Sequence, residues 1–154
     1  MAIKTRAQLT TGRDFGDLLD SVDLKIGPAV QAITAARTLT AQDSGTIFTL
    51  DSAGGAYAIT LPTVALSAGL VFKFIVLENT PSNDITISSN AANIFGNLLI
   101  QADTAEDNRV AAAGVTSVLV DQVALKGDMV EFIGTGANYF VTAMGGVQGA
   151  FTTA

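Results

Sequence analysis

Residues 71–77 read VFKFIVL. Phe72, Phe74 and Val76 alternate with Val71, Lys73, Ile75 and Leu77, so both faces of an extended strand are apolar apart from one lysine. A strand of that kind belongs in the middle of a sandwich or beneath a subunit contact. Upstream, Tyr57, Ile59 and Leu61 alternate with Ala58 and Thr60, which describes a strand with one buried face. The same texture of Thr, Val, Ile and Phe runs, separated by Gly, Asn, Asp and Ser, continues to the C-terminus. It predicts strands at Arg37–Thr40, Thr46–Leu50, Tyr57–Leu61, Val71–Leu77, Ile85–Ser88, Leu98–Ala102, Ser117–Val120, Met129–Gly134 and Tyr139–Ala143. Asp43-Ser44-Gly45, residues 51–55, 79–83 and 134–138 supply the turn chemistry between them. Short strands with no helical pattern between them indicate an all-β domain: an antiparallel β-sandwich, jelly roll or barrel. The Ala- and Gly-rich stretch 103–115 reads as a long connection and residues 145–154 as an extended C-terminal tail.

The N-terminal part is different. Residues 1–13 read as irregular, and from Asp14 the period becomes helical, with Phe15, Leu18, Leu19, Val22 and Ile26 on one stripe. Asp14, Asp17, Asp20 and Asp23 lie on the other side, Thr11 and Asp14 resemble a capping box, and Gly27-Pro28 stops the helix. Pro28 also suits the first turn of a second short helix from Ala29 to Ala36. The expected organisation is an arm with a short amphipathic helix over 1–36, a β domain over 37–144 and the tail over 145–154.

The chain has 154 residues, 49% of them hydrophobic and 14% charged. A soluble domain is usually about 25% charged, so solvating side chains are scarce and disorder is not expected. The apolar runs are much shorter than the ~20 residues that span a bilayer, so no membrane partner is expected. Part of the surface is expected to be covered by other protein. Residues 1–37 carry five cations, Lys4, Arg6, Arg13, Lys25 and Arg37, against four aspartates, a net +1. Beyond them only Lys73, Arg109 and Lys126 face ten acids, a net −7. Such a body repels nucleic acid, whereas Lys4, Arg6 and Arg13, with no acid among them, suit an acidic protein surface. The opening MAIKTRAQLTTGR has no apolar h-region, so no signal peptide is expected.

The chain contains no histidine and no cysteine, which excludes imidazole and thiolate chemistry built from its own residues. The helix aspartates progress around a solvated face without converging, and Asp103, Glu106 and Asp107 lack a calcium-loop pattern. Asp121 and Asp128 are not placed by the sequence as a glycosidase pair. Ser44, Ser67 and Ser117 have no base to activate them, and residues 145–149 match neither a Walker loop nor a dinucleotide fingerprint. No enzyme activity, cofactor or metal is expected.

Three segments carry a resemblance. TLTAQDSGTIFTLDSAGGAYAITLP (38–62), followed by GLVFKFIVL (69–77), resembles a strand–turn block of tailed-bacteriophage virion proteins. GDMVEFIGTGANYFVTAMGG (127–146) is similar to the closing hairpin of that block, with Tyr139 and Phe140 at its aromatic position. DFGDLLDSV (14–22) resembles a short helix near the start of phage tail and decoration proteins. The resemblance implies a capsid decoration, or cement, protein, a homotrimer seated on the capsid exterior after synthesis in the host cytoplasm. Its partners would be its own copies and the major capsid protein, whose subunits it would bridge and stabilise. The arm residues expected to dock are Lys4, Arg6, Arg13, Phe15, Leu18, Leu19 and Val22. A tail, collar or short tail-fibre subunit is the alternative, and a carbohydrate-binding module a more remote one.

Overall fold

A computed structural model describes residues 28–78, 81–101 and 109–154. Every long element in it is a strand. The order is β1 (Val30–Ile33), β2 (Arg37–Thr38), β3 (Ile47–Leu50), β4 (Tyr57–Thr60), β5 (Val71–Val76), β6 (Ile85–Ser88), β7 (Ile94–Ile100), β8 (Arg109–Val115), β9 (Ser117–Val120), β10 (Met129–Gly134), β11 (Tyr139–Gly145) and β12 (Phe151–Thr153). Two short 3-10 turns, Ala41–Asp43 and Val64–Leu66, interrupt the connections. Among the described residues, no helix is long and apolar enough to cross a membrane.

The strands form a seven-stranded sheet, ordered β1-β3-β5-β10-β11-β7-β8, and a five-stranded sheet, ordered β12-β9-β6-β4-β2. From β1 to β7 the chain changes sheet at every step. Strands two apart in sequence therefore pair in parallel: β1 with β3, β3 with β5, β2 with β4 and β4 with β6. A parallel pair needs a long crossover, and here a strand of the opposite sheet supplies it. The second half is mainly antiparallel, with β10 between β5 and β11, although β7 joins β11 in parallel. The architecture is all-β as expected, but both sheets are mixed instead of antiparallel.

The period-two pattern decides what is buried. Phe72, Phe74, Phe48, Phe132, Val130 and Val141 point inward from the larger sheet; Ile59, Ile85, Ile87, Val118, Val120 and Phe151 do so from the smaller one, and all belong to one cluster. Phe74 stacks on Phe48 at 5.5 Å and meets Phe132 edge-on at 6.1 Å. Each such side chain contributes about 1.5–3 kcal/mol by leaving water.

Several expectations are corrected. Residues 30–33 are a strand, not the second short helix: β1 pairs with β3 and buries Ile33, and that pairing overrides the helical preference of the flanking alanines. Residues 109–115 are not a connection but β8, an edge strand on β7. Small side chains suffice there because only Ala112 is fully buried. The strand expected at Leu98–Ala102 begins earlier, at Ile94. The C-terminal residues are not a free tail either, since β12 pairs with β9 and Phe151 is completely buried. Both expected domain boundaries, at 37 and 144, thus have sheet strands beyond them. The amphipathic helix at 14–26 lies outside the described residues.

Candidate interaction surface

The two sheets present very different outer sides. On the five-stranded sheet the outward positions are largely hydroxylated: Thr60, Thr86, Ser88 and Thr152, with Ala58 and Leu119 among them. On the seven-stranded sheet they are largely apolar. Register places Ile133, Phe140 and Phe95 side by side across β10, β11 and β7. Four residues along, Met129, Met144 and Leu99 form a second apolar row. Glu131, Thr142 and Asn97 separate the rows, and Lys73 on β5 stands beside Glu131. Phe140 is 50% exposed, Met144 57% and Leu99 47%.

Local backbone devices shape this face. The ladder from β7 to β8 slips by one residue between Ile94 and Phe95. Gly114 occupies the slip with φ +74°, and the Phe95 ring lies over it, 3.3 Å from where a Cβ would sit. An open groove of about 470 Å³ runs along the second apolar row, lined by Leu99, Met129, Met144 and Gly145. A smaller one of about 210 Å³, toward the β1–β3 edge of the same face, is lined by Pro28, Ile47, Val71, Lys73 and Glu131. Methionine suits such a surface because its unbranched thioether adapts to irregular partners.

The polar side chains that drew attention in the sequence have structural work instead. Asp128 is buried, and its carboxylate accepts from the Leu125 N–H at 2.8 Å and the Gly146 N–H at 2.9 Å. Asp121 accepts from the Val123 N–H at 3.1 Å, so each acid is engaged by backbone in a separate turn. Ser67 is buried, donating to the Val64 carbonyl and accepting from the Gly136 N–H. Ser44 accepts from the Val71 N–H. The glycine-rich stretch 145–149 carries the chain from β11 to β12 in the other sheet.

Three carboxylates outside those considered in the sequence are perturbed. Burial pushes Asp43 up, but hydrogen bonds from the Thr40 N–H and hydroxyl, with Arg37 at 2.6 Å, outweigh it and hold its pKa below the ordinary value. The Arg37 guanidinium also lies 5.3 Å above the Phe48 ring, fixing the entry to β3. Glu78 and Asp51 share a hydrogen bond that raises Glu78 and lowers Asp51. Among the described residues, no three His, Cys, Asp or Glu side chains gather so as to hold a metal ion.

Lys4, Arg6, Arg13, Phe15, Leu18, Leu19 and Val22 lie outside the described residues, as do Asp103, Glu106 and Asp107. The sequence did not mark Ile133, Phe95, Leu99 and Met144 as site residues, and it marked Phe140 only as the aromatic position of a hairpin. Their signal was apolar residues on both faces of IFGNLLI, MVEFI and YFVTAM, the same feature that marks VFKFIVL. The chain matches no known protein family and no curated protein.

Proposed function

We propose that this chain is a non-enzymatic structural protein of a tailed-bacteriophage virion, its two sheets forming a β-sandwich. It decorates the capsid exterior as a homotrimer and stabilises it by bridging major capsid protein subunits. The outward face of the seven-stranded sheet carries this reading: apolar area of that extent in a charge-poor chain suits a protein that works by contact. The resemblance of residues 38–77 and 127–146 to phage virion proteins supports the same reading. The N-terminal residues Lys4, Arg6, Arg13, Phe15, Leu18, Leu19 and Val22 dock on the capsid protein.

Phage heads lacking the protein provide the test. Added protein should co-sediment with them at hundreds of copies per particle and raise the temperature at which they release DNA. A chain with no affinity for heads would overturn the reading, and a few copies confined to the tail would replace the capsid position with a tail or collar one.

A further inference from the structure

We infer that the outward face of the seven-stranded sheet is the surface through which one copy of this chain joins another. This rests on the self-association proposed above and names the residues that make it.

Three observations select a second copy as the occupant. The first is extent. Seven strands at ~4.8 Å spacing and about five residues at ~3.3 Å each give a face on the order of 500 Å² in projection. Side-chain relief raises the accessible area above that figure, toward the ~800 Å² per partner of a stable protein interface. The second is charge. The body from residue 38 onward has a net charge of −7, so two copies repel over most orientations. On this face the charged positions are Lys73, Glu131 and Arg109, which gives it no excess of acid. The third is self-complementarity. Glu131 and Lys73 are register partners on β10 and β5, so around a three-fold axis the lysine of each copy meets the glutamate of the next, an opposite-charge contact that closes the ring. The apolar rows on either side, led by Phe140, Met144 and Leu99, then lose their water together.

The test uses the full chain in sedimentation velocity at micromolar protein. The wild type should sediment as a multiple of 15.8 kDa. Phe140→Glu and Leu99→Glu each add a negative charge to a half-exposed position. Each should weaken self-association by about thirty-fold or more, the effect of losing a central interface contact. Far-ultraviolet circular dichroism and the melting temperature should stay unchanged. Thr86→Glu, on the hydroxylated outer side of the smaller sheet, should assemble like the wild type. Should either glutamate variant unfold, Phe140→Ser with Met144→Ser tests the same face without a new charge. A monomeric wild type, or glutamate variants that assemble normally, would overturn the inference. Variants that assemble normally but no longer bind phage heads would also overturn it, assigning the face to the head protein and leaving the proposed function standing. Assembly lost in the variants, with a wild type that ignores heads, would uphold the face and remove the virion role.

Discussion

The Tyr139 hydroxyl donates to the carbonyl of Pro62 at 2.7 Å, with the whole tyrosine buried. Tyr139 opens β11 in the larger sheet, and Pro62 lies two residues beyond the end of β4 in the smaller one. The bond therefore ties the two sheets together through the core, and burial raises the phenol pKa. Tyr139→Phe keeps the ring and strands a buried carbonyl, which costs about 1–3 kcal/mol. The urea midpoint should fall with an unchanged slope, since the same surface is exposed on unfolding.

At Gly96 the constraint is steric. A Cβ there would sit 1.9 Å from the Val141 carbonyl oxygen, and φ is +149°. This is where β7 and β11 run in parallel, with Gly96 opposite the buried Val141. Gly96→Ala should destabilise by ~3 kcal/mol, the upper end for overpacking, and thermal melting will read it. Gly127→Ala is the comparison. A Cβ there meets no atom within 4 Å, so only its φ of +96° opposes the change and the loss should be smaller.

Where strands sit was largely legible, because period-two alternation reports which side of a strand is buried. Phe72, Phe74 and Val76 announce their burial, and so do Tyr57 and Ile59. Which strand pairs with which was not. Alternation says nothing about partners, and the winding of β1 to β7 between two sheets depends on contacts far apart in sequence. Val30–Ile33 and Arg109–Val115 escaped for a different reason. Their alanines and glycine carry no strand preference, and pairing with β3 and β7 supplies what the residues lack. The outward apolar rows were half legible: VFKFIVL signalled a two-faced strand, but only register shows that β10, β11 and β7 continue it.

Placement of β1 alters how the N-terminal segment should be dissected. Ile33 is buried, its carbonyl accepts from the Tyr57 hydroxyl at 2.8 Å and from the Asp51 N–H, and burial pushes the Tyr57 pKa up to about 12. A chain beginning at Arg37 loses all of this. It should be destabilised by roughly 2.5–6 kcal/mol, combining about 1.5–3 for Ile33 with about 1–3 for the stranded hydroxyl. A chain beginning at Pro28 keeps β1 and should melt within about 2 °C of the full chain, because a change within ±0.5 kcal/mol moves the midpoint little at this size. Spectroscopic titration of tyrosine adds a second readout, with the Tyr57 phenol returning toward 10 only in the shorter chain.

Glu78 and Asp51 give the protein a pH dependence of definite sign. The shared hydrogen bond raises Glu78 from its ordinary 4.5, with burial and the Asp51 charge adding to the rise, and it lowers Asp51 from 3.8. A raised folded pKa means the folded state favours protonated Glu78, so that stabilisation is complete below pH 4.5 and fades as pH climbs through the folded value. The lowered Asp51 works the other way: its contribution is present above pH 3.8 and is lost as pH falls below that. Glu78→Gln keeps an amide oxygen for the Ser52 N–H, now 2.7 Å from Glu78 Oε1, and offers Asp51 a donor at every pH. The variant should match the wild type near pH 4 and melt higher at pH 7, where the wild type holds two like charges together. Melting curves across that range check it. An advantage of the variant that is already full at pH 4, or one that shrinks toward neutrality, would show that proton sharing between the two carboxyls is not what links this loop to stability.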